Sequence, residues 1–426
     1  MLVKKVCIYS LLAAITLVPW NATAVNRFSL SNLLPKGDFV KNSINKASLN
    51  SLAGVTNIAG SFAENLLIKS FVEISEGNTQ QALNTIDQLI AAVPNFKLAY
   101  LVRGDLLMAQ GKHLLAFGGA VSLPNEGVQD LQEEARVRIE RYLAQKIQDK
   151  QPNLLLAPNT QQKHLIVVDT SKSRLFLYKN QGDKLQYLAD YYITVGKNGV
   201  VKQSEGDKRT PIGVYFARGK LNQSLPDFYG EGAYPLNYPN EWDKQNNRKG
   251  SGIWLHGTPR DTFSRPPRAS DGCVVLANED LKALSPVLQS GKTPVIIVNK
   301  LEWLEPGSQN HQLKLTLTHQ LDTWLNDWRA QNTEKYLSHY SKNFSSNGLN
   351  YQQWAEHKQR VQAGKPDVEI SISDISMFSY PESDKQLVVV DFVQDYRSPV
   401  LKNRMQKRQY WIQESDGWKI IYEGAA

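Results

Sequence analysis

The hydrophobic period of this chain changes along its length, which excludes a single helical bundle or a single sandwich. Between Glu64 and Gln148 apolar residues recur at a helical spacing. A polar, proline-bearing stretch, "QDKQPNLLLAPNTQQK" from Gln148 to Lys163, then reads as a linker. Beyond it "HLIVVD", "RLFLYK" and "YYITVG" read as period-two strands between Ser, Lys, Asn and Gly turns, followed by "IGVYFARG", "GIWLHG" and "TPVIIVNK". The segment "ANEDLKALSPVL" interrupts them as a helix, with Asn278 as its expected cap and Glu279 and Asp280 at its positive end. After "LEPGSQNHQ" an amphipathic helical segment leads into further strands. The pattern predicts a multidomain α+β chain: a helical segment over 62–148, a mostly-β unit over 162–302 and an α+β unit over 314–426.

The helical segment carries a faint repeat. Ser70 and Gly104, Gly77 and Gly111, and Ala82 and Ala116 lie 34 positions apart, and Pro94 closes the first unit. That is the tetratricopeptide period, with small residues where paired helices cross. One unit and part of another are too few to stack alone, so the TPR-like segment reads as a helical hairpin packed on its neighbour or as a peptide-binding groove. Residues 25–61, rich in Ser, Asn, Gly and Lys, read as a loop-rich approach.

The first 24 residues read as a signal peptide. Lys4 and Lys5 precede an apolar stretch from Val6 to Val18, and Ala22-Thr23-Ala24 forms an A-x-A site. The apolar stretch is well short of the roughly 20 residues of a spanning helix, and no later segment comes close. The expectation is therefore export to the periplasm or envelope. The net charge of +8 falls to about +6 without the two lysines, and no run of Lys or Arg concentrates it. This points away from nucleic acid and towards an anionic envelope.

Of two cysteines, Cys7 lies in the signal peptide, so cleavage leaves Cys273 alone in an oxidising compartment. A lone exported thiol suggests an intermolecular bridge or a reactive nucleophile. Nucleophilic use needs a base, and backbone N–H groups near the developing oxyanion. Cys273 follows Gly272, precedes a helix start and comes 17 positions after His256. The strand "GIWLHG" would end at His256, and the loop "TPRDTFSRPPRAS" could return the chain to bring Cys273 beside it. The histidines offer no H-E-x-x-H pair and one thiol cannot build a thiolate zinc site, so neither metal nor cofactor is expected.

The residues "IWLHGTP" and "ASDGCVVL" resemble the signature of the YkuD-type L,D-transpeptidases, a His-Gly pair followed by a Ser-x-Gly-Cys turn. The resemblance spans about Gln162 to Leu301 and includes a Thr-Pro-x-Gly element at Thr210, Pro211 and Gly213. It implies that Cys273 attacks the carbonyl at the L-centre of the diamino acid in a tetrapeptide stem of peptidoglycan, expelling D-alanine and leaving a thioester. His256 would be the base and then the acid, its tautomer held by a carbonyl near Gly257. N–H groups around Gly272 and Cys273 would receive the oxyanion, and Ser270 would shape the turn. Two positions depart from the family pattern. Asp271 stands where His or Arg is common, and Val275 where an Arg is common, so Arg260, Arg265 or Arg268 is a candidate to hold a stem carboxylate.

The C-terminal residues resemble a nuclear-transport-factor-2-like (NTF2-like) domain, a curved sheet and helices forming a cone. Trp324, Trp328, Tyr336, Trp354, Tyr396, Trp411 and Trp418 would line its core, around a ligand pocket or simply packed together. A YkuD-type domain followed by this module is similar to cell-shape-determining L,D-carboxypeptidases, in which water accepts the acyl group. The sequence favours L,D-transpeptidation narrowly. The alternatives are L,D-carboxypeptidation through the same thioester, or a catalytically idle envelope scaffold.

Overall fold

A computed structural model describes residues 62–426 apart from 112–116, 120–124, 145–146, 148, 183, 306–310, 365–366 and 382. The expected signal peptide and the loop-rich 25–61 segment lie outside the described residues. Four helices open the described chain: α1 (Phe62–Ser75), α2 (Thr79–Ala92), α3 (Lys97–Ala109) and α4 (Asn125–Leu143). Gly77 makes the turn between α1 and α2 at φ +83°. Leu67, Phe71, Ile86, Leu101 and Val102 form the shared core, and α4 closes it by touching α1 as well as α3.

The expected linker is not a free connection. Gln151–Pro152 (β1) pairs with a later strand, and Leu155–Ala157 (β2) joins the C-terminal sheet. Leu154, Leu155 and Leu156 are buried, and three adjacent leucines in a polar stretch find cover only by pairing.

The catalytic-type unit holds β3 (His164–Asp169), β4 (Arg174–Asn180), β5 (Leu185–Gly196), β6 (Gly213–Phe216) and β7 (Ala233–Pro235). After α5 (Glu241–Gln245) come β8 (Trp254–His256), β9 (Arg268–Ser270) and β10 (Val274–Leu276), then α6 (Asn278–Leu284) and β11 (Pro294–Val298). The order β6-β11-β3-β4-β5-β10-β8-β7, with β9 beside β5, makes one mixed sheet of nine strands. The central strands do not alternate as period-two strands would; β3, β4 and β11 are almost wholly buried. The cause is cover on both faces. Ile166, Val168 and Ile297 face a core closed by Leu281 and Leu284 of α6, whereas Leu165, Val167 and Ile296 face Phe378, Val389 and Tyr410 of the C-terminal sheet. Gly213 lies at this junction, where an added Cβ would come 2.5 Å from the Tyr380 hydroxyl.

β12 (Trp303–Leu304) pairs with β1 and leads into the C-terminal unit: α7 (His311–Arg329), α8 (Thr333–Ser338), β13 (Ser345–Ser346), β14 (Leu349–Asn350) and α9 (Tyr351–Gln362). The long strands β15 (Glu369–Ser379), β16 (Leu387–Arg397), β17 (Lys402–Glu414) and β18 (Gly417–Ala425) follow. Its five-stranded sheet runs β18-β17-β16-β15-β2. One face meets the nine-stranded sheet, and the other packs Val388, Phe392 and Trp411 onto Trp324, Tyr336 and Trp354 of the helices. No helix among the described residues is long and apolar enough to cross a membrane.

Candidate active site

Strand pairing places the two sequence-predicted groups on neighbouring strands. β8 and β10 are parallel neighbours, with Val274 opposite Leu255 and Val275 opposite His256. Cys273 therefore enters β10 as His256 ends β8. The Ser270-Asp271-Gly272 turn sets the thiol: the Ser270 hydroxyl donates to the Cys273 carbonyl (2.6 Å) and accepts from Gly272 N–H (3.1 Å). Gly272 has φ +121°, and a Cβ there would come 2.7 Å from the Arg209 carbonyl. Thr210, from the expected Thr-Pro-x-Gly element, donates its hydroxyl to the Gly272 carbonyl (3.0 Å) and accepts Gly196 N–H (2.8 Å). Gly272 thus shapes the turn, and its N–H is spent on Ser270 rather than directed at an oxyanion.

The Cys273 Sγ donates to the Gly252 carbonyl at 3.3 Å. Burial pushes its thiol up to about 11, against the opposing hydrogen bond from Trp254 N–H. His256 is 1% exposed, and its Nδ1 lies 2.7 Å from the Gly257 carbonyl. A carbonyl oxygen only accepts, so Nδ1 carries the proton and Nε2 keeps the lone pair. Burial, aided by the charge of Arg265 and opposed by the Gly257 bond, lowers the imidazole to about 4. The raised thiol and the lowered imidazole both rest neutral, the state from which a general base would take a thiol proton.

Asn278 does not cap α6. Ala277 occupies the cap position without a side-chain bond, and Asn278 is already helical. Its amide instead joins two loops, donating to the Thr258 carbonyl and accepting Glu231 N–H, each at 2.8 Å. A Cβ on Gly230 or Gly257 would come 2.1 Å from Asn278 Oδ1, so both loops need glycine there. This packing fixes the carbonyl that holds His256. The rings of Tyr229 and Phe228 stand 5.1 and 5.8 Å from the imidazole.

The candidate substrate-binding residues separate. Asp271 is exposed and pairs with Lys197 at 3.3 Å, and its charge adds to the raising of the Cys273 thiol. Arg260 is 84% exposed and lies 3.5 Å from Asp227. Arg268 is exposed on β9, with its charge felt by Glu133 of α4. Neither Arg260 nor Arg268 has a contact with Cys273 or His256: Arg260 turns to Asp227, and Arg268 is exposed with its charge felt at Glu133. Arg265 is partly buried and electrostatically coupled to both Cys273 and His256. Val275 lies between Thr194 of β5 and His256 of β8, where a long cationic side chain would have to be buried.

Sequence reasoning missed the contribution of the helices. Phe263 N–H donates to the Asn95 carbonyl (3.2 Å), Asn95 Nδ2 to the Arg260 carbonyl (2.8 Å) and the Ser264 hydroxyl to Glu134 (2.6 Å). Phe96 packs on Phe263 with ring centroids 4.5 Å apart. Partners from a separate unit leave no local signal in the loop they hold. Among the described residues no three His, Cys, Asp or Glu side chains gather as a metal-binding group. A cavity of about 300 Å³ lies in the C-terminal unit, lined by Trp328, Lys358, Gln394, Tyr396 and Lys407. Of the seven predicted aromatics only Trp328 and Tyr396 line it.

Residues 163–297 match the YkuD family, described as the L,D-transpeptidase catalytic domain, and residues 316–424 match the Cds6 C-terminal NTF2-like domain. No curated protein matches the chain by sequence. Among solved structures, Bd1075 of Bdellovibrio bacteriovorus is 29% identical with a TM-score of 0.57, over 65% of this chain and 98% of that one. The helical cell shape determining protein Pgp2 of Campylobacter jejuni is 28% identical with a TM-score of 0.56, over 64% of this chain and 95% of that one.

Proposed function

We propose that this chain, which joins a YkuD-type L,D-transpeptidase catalytic domain to a Cds6-type NTF2-like domain, is a cysteine-dependent peptidoglycan L,D-carboxypeptidase. The observation that carries the chemistry is the neutral pair on adjacent parallel strands, with His256 Nδ1–H tied to the Gly257 carbonyl. His256 Nε2 takes the Cys273 proton as sulfur attacks the carbonyl at the L-centre of the stem diamino acid. The tetrahedral intermediate collapses, the C–N bond breaks and the imidazolium returns its proton to the departing D-alanine amine. Water, deprotonated by the same nitrogen, then splits the thioester and regenerates the thiol, leaving a tripeptide.

The joined domains favour water as acceptor, because this pairing resembles the cell-shape L,D-carboxypeptidases and the similar Pgp2 structure is named a cell shape determinant. The family description of residues 163–297 supports transpeptidation as a second reading. The wider proposal places the protein in the periplasm after signal-peptide cleavage, acting on stem peptides, with 62–148 as a TPR-like segment that receives an envelope partner through itself or the NTF2-like domain. Disaccharide tetrapeptide, supplied with and without excess D-amino acid, separates the outcomes by mass spectrometry. Tripeptide as the sole product in both cases supports hydrolysis. An exchanged or cross-linked stem establishes transfer. Release of no D-alanine, or release undiminished in Cys273→Ala, overturns the cysteine mechanism, and the former leaves an envelope scaffold.

A further inference from the structure

The loop between β8 and β9 carries a cation without a matching anion. Arg265 Nη2 donates to the Ala269 carbonyl, but Nη1 is buried with no hydrogen-bond partner among the described residues. The one carboxylate among the described residues whose charge is felt at Arg265, Asp271, is 70% exposed and paired with Lys197. A guanidinium presents its donors in a planar fork, and a buried unpaired donor loses the hydration it had in water. Burial of Arg265 accordingly lowers its pKa.

The loop backbone is held in place independently of any ligand. The Arg265 carbonyl accepts from the Tyr192 hydroxyl (2.8 Å) and the Thr194 hydroxyl (3.0 Å). Thr194 is also the cross-strand partner of Val275, so the loop crosses the sheet beside the start of β10. On the helical side, Phe263 and Ser264 are tied to Asn95 and Glu134. The guanidinium stands 5.4 Å from the Phe228 ring centroid, and that ring stands 5.8 Å from the His256 ring. Arg265 and His256 therefore share contact with one ring, Phe228, which is itself 44% exposed, and the charge of Arg265 is felt at the imidazole.

Position then assigns the ligand. His256 must deliver its proton to the departing amine, so the leaving residue sits on the His256 side. Its carboxylate is one carbon beyond that amine. We propose that Arg265 binds the free carboxylate of the residue expelled from the stem, and so restricts the enzyme to stems that end one residue after the attacked carbonyl. The inference rests on the L,D-cleavage reading above and names the specificity determinant of the same site. Arg265 touches the leaving residue and not the reacting carbonyl, which distinguishes it from an oxyanion donor.

The test compares tetrapeptide with a free C-terminal carboxylate and the same peptide capped as the carboxamide, using the full chain. A charged hydrogen bond of this kind corresponds to about 10- to 100-fold in kcat/KM. Wild type should prefer the free acid by about that factor, and Arg265→Ala should abolish the preference, its loss on the free acid exceeding any loss on the amide by about that factor. The ratio of ratios cancels the intrinsic difference between the two leaving groups. Arg265→Gln, neutral and of similar length, reads the same ratio where Arg265→Ala does not fold. Iodoacetamide labelling of Cys273 should proceed in each variant, confirming an intact thiol site. Equal losses on both peptides, or an unchanged preference for the free acid, would overturn the assignment while leaving L,D-cleavage standing. If wild type cleaves neither peptide although Cys273 labels, the cleavage reading and this inference fail together.

Discussion

Glu64 on α1 offers a direct test of how the helical unit is attached. Its carboxylate receives both Arg174, from β4, and Arg138, from α4, and both arginine side chains are 2% exposed. Burial would raise the Glu64 pKa, but the two arginines outweigh it and hold the group at about 2, against an ordinary value of 4.5. At 1.36 kcal/mol per pH unit, that difference amounts to about 3 kcal/mol of stability at neutral pH. The substitution Glu64→Gln preserves shape and removes the charge. Breaking a buried pair costs about 3–5 kcal/mol. The lower end applies, because Arg174 keeps Asp190 at 3.4 Å and Arg138 keeps Glu134 at 2.9 Å. Urea unfolding at pH 7 should show the loss of about 3 kcal/mol. The folded-state pKa is depressed, so the contribution is complete above about pH 4.5 and disappears as pH falls towards 2. The curves of wild type and variant should therefore converge on acidification. A loss below about 1 kcal/mol at pH 7, or a gap that does not narrow between pH 5 and 3, would refute the attachment through this carboxylate.

Two further outcomes follow from buried groups. Because His256 is held neutral down to about pH 4, the acid limb of kcat/KM should fall near pH 4 and not near 6.5. The substitution His256→Ala should cost about 10²- to 10⁴-fold in rate; a folded variant with full turnover would mean another base. Asp280 on α6 is raised by burial, with Glu64 adding to it, to about 7 from 3.8. Its folded pKa exceeds the unfolded one, so its effect runs opposite to Glu64 and stability is lost as pH rises from 3.8 through 7. Asp280→Asn should therefore raise the thermal midpoint at pH 8 and change it little at pH 4; an equal shift at both would contradict this.

The nucleophile and base were legible because each sits in a short contiguous motif whose turn chemistry is local. Gly272 needs its positive φ for the backbone to pass Arg209, and Ser270 bonds within its own turn, so the residue types announce the geometry. Asn278 illustrates the limit. A short amide ahead of Glu279 and Asp280 has the composition of a cap, but the loops ending at Thr258 and Glu231 take both ends of that amide. The strands were misread for a related reason: alternation marks one solvated face, and β3 and β11 have none once Phe378 and Tyr410 cover the second.

The arginines of the loop carry this argument furthest. Arg260, Arg265 and Arg268 are alike in type and lie within nine residues of one chain segment, so nothing local ranks them. What ranks them is the wall behind the loop. Asn95 and Phe96 grip the segment around Arg260 and Phe263, and Glu134 grips Ser264. Tyr192 and Thr194 then fix the backbone of Arg265 from the sheet. With its backbone clamped from two sides, Arg265 projects its guanidinium towards Phe228, whose ring also neighbours His256, while Arg260 turns to Asp227. The helical unit is thus structurally part of the active site although none of its described residues contacts the thiol. Weakening its attachment at Glu64 should consequently loosen Arg265, and should reduce the preference for a free carboxylate before it reduces the reactivity of Cys273.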